Sequence, residues 1–299
     1  MSGALRILRA GPLATIQDRG RPGMLRYGIG ASGAMVKGAF AAAGGLLERR
    51  GSAGIEFTTT GLDFAVDCDL QAGFCGGAFR LTVNGEARNW DAAHRLEAGA
   101  VVRIAPGGWG NYGYLRLDRE IATTPLLGSR STNSVVGLGG FEGRALLAGD
   151  RLPLGEAGEE AGTECAAPAA PDDRPVRVLW GLHADLFPSV LRSRFVSTPF
   201  EISKRLDRMG VRLDNGGVFP QDRILSLVSD AVVAGDIQIL GDGTPIVLMR
   251  DHQPTGGYPR IATIITADLD RFAQMRPGTF VRFEPVTLDR ALAAGKGAL

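Results

Sequence analysis

Asp251-His252-Gln253-Pro254-Thr255-Gly256-Gly257-Tyr258-Pro259 follows closely on the apolar run Ile246 to Met249, so a strand is expected to end there in a polar loop. Gly256 and Gly257 permit backbone angles and close approaches that a side chain forbids. Asp251, Gln253, Thr255 and Tyr258 set hydrogen-bonding groups beside that backbone. A plain hairpin turn is the competing reading, because Gly-Gly before Tyr-Pro is ordinary turn chemistry. The stretch also has a counterpart earlier in the chain. Ile55-Glu56-Phe57 answers Ile237-Gln238-Ile239, Cys75-Gly76-Gly77-Ala78 answers Thr255-Gly256-Gly257-Tyr258, and Gly99 to Ile104 answers Gly278 to Phe283. Matches in the same order at similar intervals predict two related β domains in tandem.

The rest of the chain supports a mainly β reading. Its 43 glycines help separate short apolar runs such as Phe64-Ala65-Val66, Leu81-Thr82-Val83, Val101-Val102-Arg103-Ile104 and Tyr114-Leu115-Arg116-Leu117. Asn84-Gly85 is a two-residue hairpin signal. Helices are expected to be few and short: from about Val36 to Arg49, around Ala184 to Phe195 with Leu186, Val190 and Leu191 in the core, and after Asp268, whose carboxylate would cap Leu269 to Phe272. The Gly, Glu, Ala and Pro rich stretch at 155–175 reads as a linker, or as a loop that orders against a partner, between domains at 1–154 and 176–299.

With 299 residues, 44% of them hydrophobic and 22% charged, the chain can bury a sizeable core. A net charge of +1 gives no electrostatic reason to expect nucleic acid or a membrane surface as partner. No secretory or membrane-spanning run is evident. Cys68, Cys75 and Cys165 fit neither a disulfide framework nor a metal spacing, so a reducing cytoplasm and no protein-held metal are expected. Cys75, ending an apolar strand, reads as buried rather than nucleophilic.

Candidate chemistry gathers at three places. Arg130, with Ser129 in Gly128-Ser129-Arg130-Ser131-Thr132, is suited to clamp an anion through two parallel bonds, or else to pair with an acid such as Glu142. Asp207 and Arg208, near Lys204, form an orienting or proton-accepting cluster, or a solvated surface group. The loop after Met249 offers Gln253, Thr255 and Tyr258, with the Gly256 and Gly257 amides as donors to a carbonyl or phosphoryl oxygen. His252 ranks below them. A phosphate-binding Gly-x-x-x-x-Gly-Lys-Ser/Thr loop, a dinucleotide fingerprint and a Gly-x-Ser-x-Gly elbow are all missing.

Gln17 to Gly23, Ser32-Gly33-Ala34-Met35, Leu127 to Thr132, Gly139 to Arg144, Ser203 to Gly210 and the loop from Asp251 together resemble the biotin-dependent carboxyltransferase family, which includes allophanate hydrolase subunit 2 and the C subunit of bacterial 5-oxoprolinase. The resemblance runs from about Gly11 to about Phe283. It implies two tandem β-barrels of cyclophilin-like topology. For function it implies the larger subunit of an ATP-dependent 5-oxoprolinase-type complex that activates a small cyclic amide for ring opening. Asp207, Gln253 and Tyr258 would serve catalysis, with Ser129, Arg130, Arg208, Thr255, Gly256 and Gly257 binding substrate or nucleotide. The partners implied are a smaller β subunit and a separate hydrolytic subunit, with ATP and without covalently bound biotin. A carboxyltransferase component acting on urea or another small amide is the alternative, as is a non-catalytic regulatory paralogue, since other relatives antagonise a sporulation-kinase inhibitor. The chain departs from the family pattern at Val36 and Ala78, where carboxylates are usual, and at Arg119 and Glu120, in place of a Gly-Gly pair, which puts an anion or backbone contact in doubt.

Overall fold

The computed structural model describes residues 3–160, 170–214, 216–219 and 227–295. The chain divides into two compact units, Met1–Pro22 with Ala31–Ala170 and Gly23–Gly30 with Pro171–Leu299. The first part of the expected 155–175 linker is sheet. Residues 155–157 continue the strand Arg151–Ala157, and Glu159–Glu160 pairs with Arg49–Arg50. Ladder bonds need no apolar side chain, so a polar composition concealed this strand. Residues 161–169, including Cys165, lie outside the described residues.

In the first unit two antiparallel sheets share one core. In one sheet Ala4–Ala10 lies between Arg151–Ala157 and Leu62–Val66, and the sheet continues through Val101–Pro106 and Phe79–Val83. In the other, Tyr112–Leu117 lies between Gly54–Thr58 and Leu70–Gly76. Leu5, Ile7, Phe57, Phe64, Phe74 and Leu115 are buried in the shared core. Each such side chain contributes about 1.5–3 kcal/mol by leaving water. Asn84 and Gly85 carry φ of 53° and 88° and join Phe79–Val83 to Glu86–Arg88, the predicted hairpin with both turn residues left-handed. Helix α1, Lys37–Gly45, is shorter than expected and ends before the strand Arg49–Arg50. It seats on the second sheet because Gly73 has no side chain: a Cβ there would run into the Ala43 carbonyl.

The second unit holds a two-stranded ladder and an eight-stranded sheet whose order begins with Phe280–Val281 and ends with Phe283–Pro285. These strands are consecutive in sequence, with only Arg282 between them. Phe280–Val281 runs antiparallel to Phe200–Leu206, and Phe283–Pro285 runs parallel to Val176–Trp180. One continuous segment therefore spans both edges and curls the sheet into a nearly closed barrel. The Phe195 and Phe283 rings stack inside it at 5.0 Å.

The helix expected at 184–195 is a single turn, Ala184–Leu186, followed after Pro188 by α2, Ser189–Ser197. Phe195 is the residue of α2 that is buried, whereas Leu186 and Val190 are exposed, so the core role expected of them is not met. Spacing located their face but not what covers it. Helix α3, Thr266–Ala273, begins earlier than expected and contains Asp268 within its first turn. That carboxylate accepts from Arg177 N, Nε and Nη2 at 2.8, 3.1 and 2.6 Å, instead of capping Leu269 to Phe272. Helix α4, Leu288–Gly295, was not foreseen. The expected mainly β class with few short helices is the one observed.

Burial works against ionisation of Asp268, but the side-chain and backbone bonds from Arg177 outweigh it and hold the carboxyl below its ordinary range. A carboxyl depressed by folding adds stability above its unfolded pKa, and that stability is lost as pH falls through the folded value. Asp268→Asn should therefore cost about 2 kcal/mol at neutral pH. In urea unfolding the gap from the parent should narrow as pH falls below the ordinary carboxylate range; a gap independent of pH would refute the assignment.

Candidate functional site

A concavity of about 630 Å³, a volume typical of small-molecule sites, lies wholly in the first unit. Three sequence motifs build it. Gly20 and Gly33, with φ of 83° and 88°, bring the segments at 17–23 and 32–35 together backbone to backbone: a Cβ on Gly33 would stand 3.1 Å from Gly20 N. Ala34 N–H then donates to Asp18 O at 3.1 Å. The third motif turns tightly at Leu127 and Gly128, φ 53° and 78°, and delivers Ser129 to Thr132 against Asp18.

Asp18 organises this corner. Its Oδ1 accepts from Gly20 N–H at 2.7 Å and from the Ser129 and Ser131 hydroxyls at 2.7 and 2.5 Å, while Oδ2 accepts from Arg130 N–H at 2.6 Å. Arg130 is thereby aimed along the cleft. Its Nε donates to Thr123 O and its Nη1 to Ser52 Oγ, at 3.0 and 3.1 Å, with Glu120 at 3.8 Å. The acid beside Arg130 is thus Glu120, not Glu142, which pairs with Arg144. Glu120 also accepts from Ser52 N–H and Oγ, so the position where a Gly-Gly pair was expected supplies a carboxylate to the cleft wall. Val36 likewise has a structural use, its N–H donating to the Tyr114 hydroxyl at 2.8 Å as α1 begins.

Arg116 is the residue that sequence reading missed. It lies in a strand buried at every position, is itself 4% exposed, and lines the cleft with its guanidinium 4.0 Å from the centre of the Phe40 ring. It donates to the carbonyls of Phe40 and Gly51, while its Nε has no partner among the described residues. Burial, and then the neighbouring charge of Arg50, pushes Arg116 down to about 9, so it remains cationic at neutral pH. The trace it leaves in the sequence, a charge between Leu115 and Leu117 in an otherwise apolar run, does not say whether that face meets solvent.

The second unit places its predicted residues differently. Arg208 is buried, with Nε and Nη2 on the Asp251 carboxylate at 2.8 and 3.1 Å. Asp207 Oδ1 accepts from Met209 and Gly210 N–H at 2.7 and 3.1 Å and so closes its own turn. Thr255 and Tyr258 are exposed, and Gln253, Gly256 and Gly257 are half-buried. Thr255–Gly256 forms a short ladder with Asp230–Ala231. Neither Gly256 nor Gly257 has positive φ. A Cβ on Gly256 would stand 2.5 Å from Gln238 Nε2, so close approach, not backbone angle, accounts for glycine there. His252 Nδ1 is engaged with the Gln253 carbonyl at 2.7 Å. Cys75 is buried as expected, and burial, reinforced by Asp91, pushes its thiol up, away from nucleophilic use. Ser129 and Arg130 thus meet Asp18 in one unit, and Arg208 meets Asp251 in the other.

Among the described residues no helix is long and apolar enough to cross a membrane, and no three His, Cys, Asp or Glu side chains cluster as metal ligands.

Comparison with known proteins agrees with this architecture. The chain is 33% identical to the C subunit of 5-oxoprolinase from Escherichia coli K12 over 97% of its own length and 94% of that protein. It is 32% identical to the corresponding 5-oxoprolinase protein of Haemophilus influenzae, spanning 93% and 90%. Against urea amidolyase of Saccharomyces cerevisiae it is 27% identical over 96% of its length but spans only 17% of that protein. The crystal structure of Kluyveromyces lactis urea amidolyase superposes on 98% of the chain with a TM-score of 0.88 at 23% identity, the chain covering 20% of it, which establishes a shared fold. The relatives are thus parts of enzymes, either separate subunits or segments of long chains. Residues 27–285 match the family described as carboxyltransferase domain, subdomain A and B, and the chain belongs to that family.

Proposed function

We propose that this chain is the larger, non-hydrolytic subunit of an ATP-dependent complex of the 5-oxoprolinase type, acting in the cytoplasm with a smaller β subunit and a separate hydrolytic subunit. The observation that carries the reading is a cleft with the dimensions of a small-molecule site, built from Asp18, Arg130 and Arg116, in a chain similar over nearly its whole length to the C subunit of 5-oxoprolinase. A cyclic amide bearing a carboxylate suits a cleft with a buried cation, whereas neutral urea gives that cation no partner. Arg130 serves as the second cation, held in register by Asp18. ATP is the cosubstrate. In the second unit, Gln253 and Tyr258 stay the candidates for a catalytic role.

The test is reconstitution. The chain, purified with its companion subunits, should hydrolyse ATP when 5-oxoproline is added and not when urea is added. Urea-dependent turnover would favour the carboxyltransferase reading, which the fold shared with urea amidolyase also supports. Arg130→Ala should raise KM for the acidic amide by about tenfold or more, since a charged hydrogen-bond donor is lost; an unchanged KM and kcat would remove Arg130 from the site.

A further inference from the structure

The cleft contains cationic charge that its own acids do not neutralise. Arg116 sits 96% out of solvent with no ion pair among the described residues and with Nε unpartnered. Arg19 and Arg50 line the same cleft and bear on Arg116 as like charges, partly offset by Glu120 and Asp18. The acids nearby are committed. Asp18 is saturated by four donors, and Glu120 is bound to Ser52 and Arg130. Glu159 and Glu160 are exposed, where water screens them. A buried cation without a counter-charge is costly, and a ligand anion is what relieves it.

We propose that Arg116, flanked by Arg50 and Arg19, forms an oxyanion subsite that receives the carboxylate or phosphoryl group of a small ligand and thereby sets which amides the complex accepts. This rests on the functional reading above. The Phe40 ring lies under the guanidinium and the Phe40 and Gly51 carbonyls hold its two Nη groups, so the N–H bonds left over are fixed in direction. The carboxylate of 5-oxoproline and the phosphoryl group of ATP or of a phosphorylated intermediate share this chemistry, and binding measurements separate them.

The experiment is calorimetric titration of the full chain with L-5-oxoproline, with 2-pyrrolidinone, which has the same ring without the carboxylate, with ATP and with inorganic phosphate. For the parent, 5-oxoproline should bind about tenfold or more tightly than 2-pyrrolidinone. Arg116→Lys, which keeps the charge and loses the fork, and Arg50→Gln should each weaken 5-oxoproline and leave 2-pyrrolidinone unchanged. Arg50→Gln alters a rim residue and serves if Arg116→Lys fails to fold. Arg151→Gln, an exposed charge outside the cleft, is the control expected to change nothing. Binding of phosphate or ATP that depends on Arg116 and Arg50, with no binding of 5-oxoproline, would uphold the subsite as a phosphoryl site and count against the 5-oxoproline reading. Equal binding of 5-oxoproline and 2-pyrrolidinone would overturn the subsite. So would an unchanged KM for 5-oxoproline in reconstituted complexes carrying Arg50→Gln and Arg116→Lys, and in that case the functional reading would stand.

Discussion

Asp18→Asn should disable the reconstituted complex almost as fully as Asp18→Ala, although it changes one heavy atom. Four donors converge on the carboxylate, two of them backbone N–H groups that cannot turn away. An Asn side chain has one accepting oxygen. If its NH2 takes the place of Oδ2 it opposes Arg130 N–H; if it takes the place of Oδ1 it opposes Gly20 N–H. Either leaves a buried N–H unpaired at about 1–3 kcal/mol and forfeits charge-assisted bonds of about 1.5–3 kcal/mol each. The sum, about 3–5 kcal/mol, falls on the segment carrying Arg130. A fall in turnover of about 100-fold or more is the expected consequence, because displaced clamps are costly to rate. Urea unfolding and steady-state ATP hydrolysis measure the two effects, and a variant with parental stability and turnover would show that Asp18 does not organise the cleft.

The second large effect is one of stability alone. Asp251→Ala should destabilise the second unit by about 3–5 kcal/mol, because it removes the carboxylate that takes two bonds from a guanidinium 3% exposed. Replacing both partners, Arg208→Met with Asp251→Leu, should recover most of that loss, since well-packed apolar residues need no counter-charge. Chemical unfolding of the single and double variants decides the matter. A double variant as unstable as Asp251→Ala would mean that the pair does more than neutralise itself. Arg208, nominated from the sequence for binding, is here paired with Asp251 at the start of the loop.

What was legible depended on how local the cause was. The Asn84-Gly85 hairpin was readable because left-handed φ at two adjacent positions is a demand those residues meet unaided. The strand before Asp251 was readable from its apolar run, and the importance of residues 128–132 from their small and hydroxyl side chains. Arg116 was not, because alternation says which face a residue takes and not whether that face meets solvent; in Tyr112–Leu117 both faces are covered, one of them by α1. The partner of Arg208 was hidden for a different reason. A charged residue beside Asp207 and Lys204 looks solvated, and nothing in its neighbourhood announces Asp251, 43 residues on. Glu120, noted only as a departure from a family pattern, proved to be the acid beside Arg130 because residues far apart in sequence meet at Ser52.

The barrel of the second unit is fastened by a single clasp. Since residues 280–285 serve both seams, loosening that short stretch would bare two strands at once, those of Val176–Trp180 and Phe200–Leu206. Amide protons on these two strands, at Val178 and Ile202, should then exchange with deuterium in one shared opening event instead of two independent ones. Removal of the chain from Arg282 onward would leave an unzipped ribbon inclined to associate with its own kind.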